Sequence, residues 1–455
     1  VWDDLPVSGV LADLLSRTAA TIAGIVLLIV TTRSLMRTVI VPRALRSAIS
    51  DAVSRVVVGT CRGMARLRST YAKRDAVLAW AGPTILLTQL ITWLMLFLLA
   101  YGLLLYGLSG QTLGESLRQA GSSLFTLGFA DVDTSDQTLI DFIASATGPI
   151  VIALMIGFLP TIYSSYLHRE AAVTALSTSA GEPAWGPEML SRHTLADTLQ
   201  DANAEFVRWR DLAATIRMSH TMYPVLIWVR SVRANRHYLV SLIAVLDAAC
   251  LTVSLTSTVD RRAAFQLLIQ GGQSIEVLYA LMARRRAWRP SFRRLTRRQA
   301  ERAQPRELEE LPRWNQRILA VEQASDRDAL SSIDDGVVAE LEEREHGSIM
   351  LTRSEFDEAV DLLRRSGFPI DRDLDEAWQQ FVAARSRYEF AAYALCEILD
   401  APPAPWTGPR RFSAPTIRPH RAVDLLGPTG GLMPDDTKGA YAVDDDALTD
   451  DGGTA

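Results

Sequence analysis

The residues of this 455-residue chain best placed to do chemistry are Thr126, Leu127, Gly128, Phe129, Ala130 and Asp131. They follow residues 115–125, a stretch suited to a short helix, and themselves read as an extended strand; both lie between two strongly apolar segments. An ordinary loop would be polar and rich in turns. A segment that dips into hydrocarbon must satisfy its backbone N–H and C=O groups, either inside protein or along a water-filled path. A helix descending ahead of it points the negative end of its dipole into the membrane, which favours a cation. The chemistry indicated is attraction of a cation, which the acids Asp131, Asp133 and Asp136 would concentrate on the outer side.

No other group of residues in the sequence offers comparable chemistry. His168, His193, His220, His237, His346 and His420 are scattered, with no HExxH and no paired metal spacing. Cys61, Cys250 and Cys396 lie far apart without a CxxC, so neither a thiolate zinc site nor a disulfide framework is indicated. Asp371, Asp373 and Asp375 have the spacing of a calcium loop, but Glu376 stands where that loop needs glycine and Val382 where it needs a bidentate glutamate. Helix capping by Asp371 or Asp373 is the expected role instead. With no phosphate-binding glycine loop, nucleophile elbow or catalytic carboxylate pair, the chain reads as a non-enzyme without metal or cofactor.

Three stretches are apolar enough to cross a bilayer, which takes about 20 helical residues. They run from about Thr18 to Val30, from Ala76 to Leu108, and from about Ile140 to Tyr166, the last interrupted by Gly148-Pro149, Gly157 and Pro160. Trp80, Tyr101 and Tyr106 flank the second as interfacial aromatics. Between the first two spans stand Arg33, Arg37, Arg43, Arg46, Arg55, Arg62, Arg66, Arg68, Lys73 and Arg74, opposed by Asp51 and Asp75. Basic loops stay cytoplasmic. This expectation puts the N-terminus and residues 109–137 outside and everything after Tyr166 inside, in a multi-pass protein of the cell membrane. A secretory signal fits the first span poorly, because its basic residues follow the apolar run.

Thr126-Leu127-Gly128-Phe129-Ala130-Asp131 resembles the Thr-Val-Gly-Tyr-Gly-Asp filter of tetrameric pore-loop potassium channels. The order of parts is similar too: outer helix, pore helix, filter, inner helix. The resemblance implies that backbone carbonyls of Thr126, Leu127, Gly128, Phe129 and Ala130, with the threonine hydroxyl, replace the water around a permeant potassium or other monovalent cation. It places Asp131 and Asp133 at the outer mouth and makes Gly148 or Gly157 a gating hinge, with close helix packing as the other role for those glycines. Phe129 for tyrosine is a mild change, since the backbone coordinates. Ala130 is the larger departure, because the family's glycine takes a left-handed backbone that costs a residue with a Cβ about 1–2 kcal/mol. One pore loop per chain cannot enclose an axis, so a homotetramer is implied.

The expected organisation is mainly α: a first transmembrane span over 1–35, a basic cytoplasmic linker over 36–75, the pore-forming part over 76–166, a helical cytoplasmic domain over 167–300, a helical module over 301–408 and an acidic disordered tail over 409–455. The apolar segment from Tyr238 to Leu255 contains Asp247 and has arginines on both sides, which suits a buried helix of a bundle better than a fourth crossing. The basic run from Arg284 to Arg302, with Trp288 and Phe292, suits a solvated linker or contact with anionic lipid at the inner leaflet. No nucleic-acid-binding module is recognisable. The expected function is passive conduction by a potassium-like channel whose cytoplasmic region assembles or regulates the pore; the alternative is a non-conducting sensor or scaffold with a degenerate filter.

Overall fold

A computed structural model of the chain describes residues 7–41, 47–130, 135–283, 349–408 and 412–419. Asp131 and Asp133, the basic run from Arg284 to Arg302 and most of the acidic tail lie outside the described residues. The described residues are mainly helical and contain no strand, only an isolated bridge between Glu182 and Arg418. They divide into two compact units, Val1–Leu167 with Ser219–Arg230, and His168–Met218 with Ser231–Ala455.

The first unit holds α1 (Val7–Leu35), which continues into a π-helical turn, then α2 (Ala48–Arg66), α3 (Tyr71–Ala79), α4 (Ala81–Ser109), α5 (Leu113–Leu124) and the first part of α6 (Ser135–Ala180). The long apolar stretch expected from Ala76 is two helices with a one-residue break at Trp80. α1 runs antiparallel to α4. A Cβ on Gly107 would lie 2.0 Å from Thr21 Oγ1 and one on Gly24 2.9 Å from the Ala100 carbonyl, while further along Trp93 Nε1 donates to Ser34 Oγ at 3.1 Å. These glycines let the two backbones approach closely.

A core of Trp93, Phe97, Tyr101, Leu105, Leu124, Val151 and Phe158 joins α4, α5 and α6. The opposite faces stay apolar and exposed, with Ile22, Ile29, Ile91, Ile143, Ile150 and Ile156 uncovered. Such continuous exposed apolar surface marks contact with lipid or protein. Among the described residues, the segments Leu11–Ile40, Tyr71–Ser109 and Gln137–Ala180 are each long and apolar enough to span a membrane. Pro149 and Pro160 lie inside α6 without ending it.

The second unit contains α7 (Gly186–Leu195), most of α8 (Ala202–Met222), α9 (Tyr238–Leu255), α10 (Arg262–Ala283), α11 (Arg353–Ser366), α12 (Leu374–Arg385) and α13 (Glu389–Ile398). Every residue of α9 is buried, and α7, α10, α12 and α13 pack against it. Gly186 makes one of these contacts tight: a Cβ there would lie 2.6 Å from the Ala244 carbonyl. α9 is therefore the central helix of a bundle, as its flanking arginines suggest. Residues 167–300 and 301–408, read from sequence as separate regions, contribute helices to this one core.

Candidate functional site

The start of α5 is written locally. Gly110 ends α4 with a left-handed φ of 73°. Thr112 and Glu115 then close a capping box: the Thr112 hydroxyl accepts the Glu115 N–H, and Glu115 Oε2 accepts the Thr112 N–H at 2.9 Å. Two N–H groups that a helix start leaves without partners are satisfied in this way.

From there α5 runs back along α4. A Cβ on Gly102 would lie 2.5 Å from Leu117 Cδ2, and one on Gly121 would lie 3.5 Å from Leu98 Cδ1. Leu98 is eleven residues before Ser109, the last residue of α4; at about 1.5 Å per residue this is a depth of about 16 Å. The far end of α5 meets α6, where a Cβ on Gly148 would lie 1.9 Å from the Leu124 carbonyl. Gly148 is thus a close-packing glycine. Gly157 has nothing within 4 Å of a Cβ and keeps room for the hinge role.

The residues after α5 do not form an extended strand. Thr126 and Gly128 take left-handed φ values of 55° and 67°, and the chain folds back on Ser122. The Ser122 carbonyl accepts the N–H of Leu127 at 2.7 Å and of Gly128 at 3.4 Å. Its hydroxyl accepts the N–H of Phe129 at 3.0 Å and of Ala130 at 3.2 Å. One buried serine therefore takes four successive N–H groups. The strain expected at Ala130 is absent, because Ala130 stays out of the left-handed region. That conformation falls on Thr126, and the glycine at 128 adopts it without steric cost.

Other contacts fix this arrangement. Asp141 of α6 accepts Gln119 Nε2 at 2.7 Å and Ser123 Oγ at 2.6 Å. The Arg118 guanidinium lies over the Phe129 ring, 5.4 Å from its centroid. Thr126, Leu127, Gly128 and Phe129 are exposed within the single chain. Ser122, Gln119, Arg118 and Asp141 were not singled out from sequence. Two signals marked them: the polar face Ser116, Gln119 and Ser123 at helical spacing, and a carboxylate inside an apolar stretch, where an ionisable residue is costly.

A second polar cluster lies inside the other unit. Arg385 is wholly buried. It pairs with Asp247 of α9, with Glu389 at 3.0 Å, and donates to the Trp406 carbonyl at 2.7 Å. Four rings, Phe381, Tyr388, Tyr393 and Trp406, surround its guanidinium. Tyr388 donates to Asp247 at 2.6 Å. Burial raises the Asp247 carboxyl above its usual range, with Arg385 opposing, and pushes the Cys250 thiol up to about 12. A thiol so placed is protonated and unreactive. The cluster ties α9 to α12 and α13.

The three aspartates at calcium-loop spacing are divided among different tasks. Asp373 caps α12 by accepting the N–H groups of Asp375 and Glu376. Asp371 accepts the Ser257 N–H at 2.8 Å and the Thr258 N–H at 3.2 Å, and Asp375 pairs with Arg353. Among the described residues no group of three His, Cys, Asp or Glu side chains is placed to hold a metal. Compared with known proteins, the chain matches no family, no curated protein and no solved structure.

Proposed function

We propose that this chain is the subunit of a homotetrameric, potassium-like cation channel, with Thr126 to Ala130 as the ion-coordinating segment and Asp131 and Asp133 at the outer mouth. The observation that carries the reading is the course of α5. It returns about 16 Å along an apolar helix, and the segment after it has its N–H groups gathered on Ser122. N–H groups held on one side leave the carbonyls of the same peptides directed away from Ser122, which is the disposition a cation path needs. The negative end of the α5 dipole adds to the attraction. Four copies are required to enclose the path, and the exposure of Leu127 and Phe129 in the single chain suits cover by neighbours. The second unit then serves assembly or regulation, and the bilayer is the other partner.

Planar-bilayer recording from the purified full-length chain under opposed potassium and sodium gradients tests this. A reversal potential that follows potassium supports it, and silence from intact tetramers sinks it. The competing reading, a non-conducting sensor or scaffold, draws on Arg118, whose positive charge over Phe129 opposes cation entry. Current in Arg118→Gln tetramers alongside silence in the wild type would favour that second reading.

A further inference from the structure

Asp141 is buried on α6, and its carboxylate receives only neutral donors, Gln119 Nε2 and Ser123 Oγ. Among the described residues no arginine or lysine pairs with it. Buried carboxylates are normally compensated by a cation. This one also lies beside the last two turns of α5, where the dipole already places negative charge. Gln119 Oε1, a further buried acceptor at the same place, has no donor. Three sources of negative potential thus converge behind the segment that follows α5, and the Arg118 guanidinium, which lies over Phe129, does not pair with Asp141.

We infer that Asp141 is a positioning residue of the ion path and its fixed negative charge: it anchors α5 through Gln119 and Ser123, holds the adjacent Ser122 against the N–H groups of residues 127–130, and raises cation occupancy at their carbonyls. The inference rests on the pore reading and adds the residue that sets its cation affinity. The two functions separate by substitution. Asp141→Asn keeps the shape and an acceptor oxygen while removing the charge; Asp141→Glu keeps the charge on a longer stem. A unit charge acting on a nearby cation at an effective dielectric of about 20 changes occupancy on the order of tenfold.

Single-channel conductance of the full-length protein, measured across a series of potassium concentrations, provides the test. Asp141→Asn tetramers of normal size should need on the order of tenfold more potassium for half-maximal conductance, and Asp141→Glu should restore most of the loss. An Asp141→Asn curve that overlays the wild type overturns the inference while leaving the pore reading intact. Wild-type silence overturns both. If Asp141→Asn does not assemble, Ser123→Ala serves instead: it removes one anchor and keeps the charge, so the potassium-to-sodium reversal potential should shift while half-saturation stays put. An unchanged reversal potential there also overturns the inference.

Discussion

Two helices of equal apolarity meet opposite fates in this chain. The segment containing α4, Tyr71–Ser109, and helix α9, Tyr238–Leu255, both reach a mean hydropathy of 2.0, yet 39% of the apolar stretch of the first and all of the second is buried within the protein. α4 buries one face against α1 and α5 and leaves Leu87, Ile91 and Met95 uncovered. α9 is sheathed by α7, α10, α12 and α13, and all of its residues are buried. Apolarity measures the need for cover and does not say what provides it. The one charged side chain in α9 makes the same point: Asp247 is compensated by Arg385, which arrives from 138 residues away in sequence.

The largest test of the contrast is to break that pair. Asp247→Ala leaves the Arg385 charge short of a partner and should destabilise the second unit by about 3–5 kcal/mol; hydrogen exchange of α9 amides in the full-length protein reads the loss. Protection unchanged from wild type would mean that α9 is held by apolar packing alone. Next is the exposed face of α4. Ile91→Asp should cost about 2.5–3.5 kcal/mol of membrane insertion, seen as a fall in the membrane-integrated fraction. Normal integration would show that this face does not meet lipid.

A smaller effect separates the two glycines of α6. Gly148→Ala forces a Cβ onto the Leu124 carbonyl and should cost about 1–3 kcal/mol in thermal unfolding, as overpacking does. Gly157→Ala, with open space around it, should stay within about 0.5 kcal/mol. Equal effects at the two positions would contradict the packing described for α5 and α6. The smallest effect is set by pH. Burial tends to raise the Asp371 carboxyl, but the N–H and hydroxyl donors of Ser257, with those of Thr256 and Thr258, outweigh it and hold the group below its usual range. Its contribution is therefore complete above the unfolded value of about 3.9 and fades as pH falls through the lower folded value. Asp371→Asn should reduce stability at pH 7 more than at pH 3, by thermal melts of the full-length chain. A difference between wild type and variant that does not change with pH would discount the carboxylate.

Much of the candidate site was legible because its signals are local. The short helix before Thr126 was read from residues a turn apart; the Thr112 and Glu115 capping box and the glycine that ends α4, equally local, were not read. The site's supporting bonds were less legible. Sequence reading expected an extended strand and a strained Ala130; the chain instead folds back onto Ser122, and Thr126 carries the left-handed backbone. Serine accepts from many partners, and nothing in its type names four successive N–H groups.

The sequence by itself determined which segments need cover from water and that a polar, glycine-bearing segment stands between two apolar ones. These follow from side-chain period and composition, both short-range properties of the chain. Only the tertiary structure decided that α9 is covered by protein, that Gly148 is a contact and Gly157 is not, and that Asp141 stands behind Ser123 and Gln119. Each depends on surfaces brought together from distant parts of the chain, and shape and hydrogen-bond geometry at such contacts are fixed by packing, which no local pattern encodes.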